Sequence, residues 1–183
     1  MRRTFECFVG CLVLSLVAVP IAAAQSQQPP KPGPEHQRLA YYVGKWSTEG
    51  KMEPSPMGPG GTMTSIDTCE WFEGRFAVVC HYEGKTPIGP SKGLGILSYN
   101  ADEKVYTYYG TDSSGMTMTT IPRGTVQGDT WTYMDESMMG GQKMKTRVTI
   151  KELSANAYTF KMEMQGPDGK WAPMMESKST KVK

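Results

Sequence analysis

The chain has 183 residues, a formal net charge of +2, and 21% charged against 38% hydrophobic residues. That balance offers no basic face for nucleic acid or an anionic membrane surface, and the length suits one domain with its own core. With only two histidines and four cysteines, there is little material for a His/Cys metal centre or a histidine-based triad.

Residues 1–24 read as a secretory signal peptide. Arg2 and Arg3 form a positive start, Phe8 to Val19 an apolar run, and Ala22-Ala23-Ala24 a small-residue cleavage pattern. The run is too short and wrongly flanked for a membrane span, so no stable membrane insertion is expected after cleavage. Cys11 has most of the apolar run behind it, whereas a lipoprotein processing site needs it in front. Cleavage removes Arg2, Arg3 and Glu6 and takes the charge from +2 to +1. The expected destination is secreted or periplasmic.

Residues 25–33 are Gln/Pro-rich without an apolar period and read as a flexible leader. The domain is expected over 34–183. It opens on one short helix, with Pro34 in the first turn, Glu35 at the positive end of the dipole, and Leu39, Tyr42 and Val43 at helical spacing. Gly44 is expected to end that helix and turn the backbone tightly into the first strand.

From Trp46 onward the period is two. In "NAYTFKMEMQ", Tyr158, Phe160, Met162 and Met164 alternate with Thr159, Lys161, Glu163 and Gln165, as in a half-buried strand. In "KMKTRVTIKE", Met144, Val148 and Ile150 share one face and Lys143, Lys145, Arg147 and Lys151 the other. Turn signals fall at 73–74, 99–103, 113–115, 127–129, 138–142, 153–156 and 166–169, and the Pro-rich 53–61 reads as a longer loop. The count is about ten short strands joined by tight turns, hence antiparallel neighbours, and closure best removes exposed edges. The predicted fold is all-β: a single antiparallel up-and-down β-barrel with one short N-terminal helix, a two-sheet sandwich being the alternative. Trp46 is expected to plug the closed end, with Lys181 or Lys183 of the last strand across its indole.

Cys69 and Cys80 remain after cleavage, in an oxidising compartment. If Gly74-Arg75 is a type II′ two-residue loop, Cys69 lies opposite Cys80. If Glu73-Gly74 is the loop, Cys69 faces Val78 and the thiols are diagonal, about 7–8 Å apart. A disulfide in the first register is expected, with two buried free thiols the alternative. Either register puts Trp71, Phe76, Val78 and Tyr82 on the cysteine face. Parity adds Asp67, positioned to hydrogen-bond Tyr82 as a core polar residue.

The segments "GPEHQRLAYYVGKW", "FEGRFAVVCHYEG", "GLGILSYNADEKVYTYYG" and "MQGPDGKW" together resemble the bacterial domain-of-unknown-function family 1579, from about Pro34 to the C-terminus. Members are thought to form a lipocalin-like, calycin-type barrel, and Gly44-Lys45-Trp46 looks like the lipocalin Gly-x-Trp signature. The resemblance implies a barrel and no settled activity. A more distant similarity is to the nitrobindins, whose haem ligand is a histidine late in the chain. Here no histidine follows His81, so that ligation is not carried over.

Other chemistry is sparse. His36 is expected as a surface or capping residue, and His81 on the solvent side of its strand. The Gly-rich stretches lack a phosphate-loop pattern. All methionines except Met1 lie beyond the leader, with Met116/Met118 and Met162/Met164 as Met-x-Met pairs, Met144 and Met134 as associates, and Met138-Met139 and Met174-Met175 adjacent. Thioethers suit Cu(I), but methionines alternating with charges on strands suit an interior or an adaptable ligand surface better. No metal or cofactor is assigned.

The function expected is a small-molecule-binding barrel for an apolar or amphipathic ligand, lined by Met144, Val148, Tyr158, Phe160, Met162, Met164, Trp71 and Tyr82. A barrel enzyme without an identifiable acid–base pair, or a methionine-based Cu(I) handler, is the alternative.

Overall fold

The computed structural model describes residues 30–55, 58–114, 118–139 and 142–182. The expected signal peptide, residues 25–29 of the leader, Met57, Met116, Lys183 and the side chain of Met139 lie outside the described residues. Helix α1 (Pro34–Arg38) continues into a 3-10 turn over Leu39–Tyr42. Ten strands follow: β1 (Gly44–Met52), β2 (Gly61–Trp71), β3 (Ala77–Thr86), β4 (Gly89–Asn100), β5 (Val105–Asp112), β6 (Arg123–Gln127), β7 (Thr130–Met139), β8 (Gln142–Ser154), β9 (Ala157–Gln165) and β10 (Trp171–Val182). Each is antiparallel to the next, and β10 returns to β1 with Trp46 opposite Lys181, so the sheet closes into a barrel.

The core gathers at the helix end. Leu39 and Tyr42 from the 3-10 turn meet Trp46, Val78, Leu97, Tyr106, Trp131 and Ile150, all buried. The helix is short for its own stability, so side chains latch it down. Arg38 pairs with Glu152 at 2.6 Å and stacks 5.2 Å over Trp131, while the Trp131 Nε1–H donates to Glu152 at 2.7 Å. The Tyr41 hydroxyl lies 2.9 Å from the carbonyls of Ser154 and Ala157, and the Tyr106 hydroxyl donates to Glu35 O at 3.2 Å. His36 caps the helix and is buried: Nδ1 accepts the Gly33 N–H at 3.2 Å, and its ring meets Phe76 edge-on at 5.0 Å.

Several expectations are corrected. Gly44 does not end the helix, because the 3-10 turn stops at Tyr42 and Val43 is already extended. Gly44 is the first residue of β1, at φ +127°, and an added Cβ would stand 3.0 Å from the Lys181 side chain. Both facts require glycine there. The β2–β3 connection is not a type II′ turn: it is a four-residue loop, 73–76, with positive φ at both Gly74 and Arg75 and Arg75 N–H bonded to Phe72 O at 2.9 Å. The loop is symmetric about the expected centre, so Cys69 still faces Cys80. A tight turn, Thr86–Gly89, with Pro87-Ile88 at its tip, joins β3 to β4 where no turn signal is expected from the sequence.

Candidate functional site

Strand register fixes which side chains face inward. Beginning at Trp46 and Thr48, inward positions alternate along the strands, interrupted by register shifts near Glu152–Ser154 and Pro173–Met175, and most charges lie on outward positions. The wall has two zones. At the helix end, Trp46, Trp131 and Val78 are 0–1% exposed and form the plug. Farther along the same strands, the inward residues Gly50, Met52, Met63, Ser65, Tyr82, Gly93 and Met144 are only half-buried.

Trp46 is built into the plug as its signature spacing suggested. Its Nε1–H donates to Tyr42 O at 2.7 Å, and Tyr158 packs edge-on at 4.9 Å. The Lys181 ammonium lies 4.8 Å from the indole centroid and 3.5 Å from Tyr41 O. Cys69 and Cys80, paired directly across β2 and β3, form a disulfide beside this layer.

Of the residues expected to line a lumen, Met144, Val148, Tyr158, Phe160, Met162, Met164 and Tyr82 all occupy inward positions. Val148, Tyr158 and Phe160 also pack against the core cluster, so they border the plug. Trp71 has inward parity but lies at the helix end, with the Arg75 guanidinium 5.1 Å over its ring. It belongs to the plug's rim rather than to the deeper wall. Met134 and Met138 do not join the interior: they are 43% and 62% exposed on the outer face of β7.

Two features of the wall have no simple sequence signal. The first is a set of tyrosines laid over inward glycines, mostly of neighbouring strands and, for Gly110, of the tyrosine's own strand. A Cβ on Gly93 would fall 2.3 Å from the Tyr82 ring, one on Gly95 or Gly110 2.9 Å from Tyr108, and one on Gly124 2.5 Å from Tyr133. Bare glycines let the rings lie along the wall instead of across the lumen.

The second feature is a polar group around Asp67. Asp67 Oδ2 accepts from Thr48 Oγ1 at 3.0 Å and Ser65 Oγ at 2.9 Å, and Thr48 meets Ser179 at 2.7 Å. The expected hydrogen bond from Tyr82 is not made, although Tyr82 stands opposite Asp67 in register. Burial raises the Asp67 carboxyl above its ordinary value, and the two hydroxyl donors only partly offset this. Burial likewise pushes the Tyr108 phenol up to about 12. Hydroxyls of Tyr42 and Tyr133 are buried without a hydrogen-bond partner among the described residues. No group of three or more His, Cys, Asp or Glu placed to hold a metal occurs among the described residues.

Outside the wall, a groove of about 480 Å³ is lined by Lys45, Ile66, Thr68, His81, Glu83 and Lys92, among others. Its charges are mixed, and His81 faces solvent there as expected.

A closed ten-stranded antiparallel meander, entered through a short helix and plugged by a Gly-x-Trp tryptophan, defines a calycin-like barrel. The chain belongs to the family described as a protein of unknown function, DUF1579, whose profile matches residues 31–181. Among solved structures it is similar to Rv2717c from M. tuberculosis, at 11% identity and TM-score 0.57, covering 82% of this chain and 99% of that one. It is also similar to the S-type phycobiliprotein lyase CPES from Guillardia theta, at 14% identity and TM-score 0.55, covering 81% and 93%. At such identities the likeness establishes the fold alone. No curated protein matches the chain.

Proposed function

We propose that this protein is an exported carrier or sensor that holds a small apolar or amphipathic molecule inside its barrel. The observation that carries the reading is the change of character along the inward wall. One end is sealed by fully buried aromatic residues, while farther along the wall is built of half-buried methionines, glycines and serines. Tyr82 and Tyr108 lie back on Gly93, Gly95 and Gly110, which keeps two large rings out of the centre. Met144, Met162 and Met164 supply adaptable thioether surface suited to an irregular apolar guest. The phycobiliprotein lyase among the structural neighbours is a barrel of similar shape named for work on another molecule, which agrees with a role in handling a guest. Export rests on the residue pattern of the first 24 positions.

Native mass spectrometry of the protein isolated from its own host tests the reading. The expected spectrum carries a bound amphiphile released on activation. A bare polypeptide mass that also takes up no added 1-decanol would rule out the carrier role, and a bound copper mass would redirect it to metal handling.

A further inference from the structure

We propose that the barrel selects a cationic amphiphile, with Asp67 receiving its ammonium head. The inference rests on the lumen-binding reading above and adds the sign of the ligand and its orientation.

The first ground is the charge of the inward face. Among the described residues of inward parity, the charged ones are Asp67, Asp112, Asp135 and Glu152 against a single cation, Lys181, so the face is acidic on balance. Asp112 is partly committed to its own turn, accepting the Ser114 N–H at 2.8 Å. Asp67 is deeper: it pairs with Trp46 in register and so stands on the plug.

The second ground is that Asp67 lacks a counter-ion among the described residues. Lys181 flanks Trp46 on the opposite side, but its ammonium turns to the indole face and Tyr41 O. Both hydroxyl donors reach Asp67 Oδ2, and Oδ1 takes no hydrogen bond among the described residues. A half-buried carboxylate left this way is costly to the fold, which is the arrangement expected where a ligand supplies the missing charge. Its raised pKa agrees with that cost.

The third ground is independent of the carboxylates. Tyr133, 4% exposed and inward-facing, has an unpartnered hydroxyl. Tyr108, also inward-facing, lies against Gly95 on the neighbouring strand. Phenol rings and thioethers are favourable surroundings for an alkylammonium group, whereas an anion at this depth would face Asp67. The head therefore goes in first, and the tail lies against Phe160, Met162 and Met164.

Calorimetric titration of the exported chain at pH 7 with decylamine, 1-decanol and decanoate, below their aggregation limits, tests this. Decylamine is expected to bind at least about tenfold more tightly than decanoate, the charge contribution of one ion pair in a partly dry site. Asp67→Asn, which keeps an acceptor for Thr48 and Ser65, is expected to remove that preference, with decylamine falling to the affinity of 1-decanol for the same variant. In the native chain, the Asp67 carboxyl carbon resonance is expected to move with decylamine and stay with decanoate, a readout that needs no variant. Decanoate binding as tightly as decylamine, or an Asp67→Asn chain that keeps the preference, would overturn the charge selection while 1-decanol binding leaves the lumen reading standing. Failure of all three probes would overturn both.

Discussion

Trp46 combines three roles in one side chain: it fills the closed end, donates to the helix it sits beneath, and receives Lys181 on its face. Trp46→Ala is expected to cost about 3–5 kcal/mol in urea unfolding, as for other fully buried aromatics; a loss below about 1 kcal/mol would remove its role as the plug. Lys181→Met keeps the stem over Gly44 and deletes the charge, so a cost near 1 kcal/mol is expected, the scale of a partly desolvated cation–π contact. Asp67 behaves in the opposite sense. Its carboxyl is raised above 3.8 in the fold, so the native state holds a proton to higher pH than the unfolded chain. The cost is absent below the unfolded value and fully present above the folded one. Asp67→Asn should therefore be more stable than the native chain at pH 7, with the difference closing toward pH 3; a neutral-pH loss of stability would show that the carboxylate supports the fold.

At the scale of elements, the β2–β3 hairpin is tied twice, by its ladder and by the Cys69–Cys80 bridge. The bridge closes a loop of sequence separation 11, and loops of that size contribute roughly 2–3 kcal/mol through the unfolded chain. Thiol titration of unreduced, denatured protein is expected to find no free thiol at either position, and a Cys69→Ser/Cys80→Ser pair to lose about that much stability. The tyrosine-over-glycine contacts are more specific to function. Gly95→Val would push the Tyr108 ring off the wall, with an overpacking cost of about 1–3 kcal/mol. The expected outcome is a folded barrel with near-ultraviolet dichroism altered and 1-decanol uptake reduced. Unchanged uptake would mean that the ring does not border the guest.

For the whole molecule, closure is uneven. Among the described residues β5 and β6 join through two residue pairs, Tyr106 with Gly124 and Thr107 with Arg123, whereas β3 and β4 pair over ten. Backbone amides of Tyr109 to Asp112 are therefore expected to exchange with solvent sooner than those of β3; equal protection would place the weak seam elsewhere. Alkaline pH acts on the whole core at once. Burial pushes the Tyr108 phenol up to about 12, so its ionisation is held back in the fold and favoured in the unfolded chain. Stability should fall as pH rises through about 10 toward 12, followed by unfolding-coupled phenolate absorbance.

The sequence by itself determined the fold class, the strand period and the position of the plug, because alternation of apolar and charged residues and tight-turn residues are local codes. The cysteine register was legible for the same reason: residues 69 and 80 are symmetric about the hairpin centre whether the loop has two residues or four. Inward parity located Met144, Met162, Met164 and Tyr82 correctly, since it needs only the strand phase. Parity alone carries no depth, which is why Trp71 read like a lumen residue and lies in the rim of the plug. Met134 has the thioether of the interior methionines but an outward phase on β7, so residue type without phase misplaces it. What only the tertiary structure decided are relations between distant strands: Tyr108 over Gly95, Lys181 turned to Trp46, and Thr48 from β1 reaching Asp67 on β2. Those contacts depend on barrel closure, which brings residues 46 and 181 side by side.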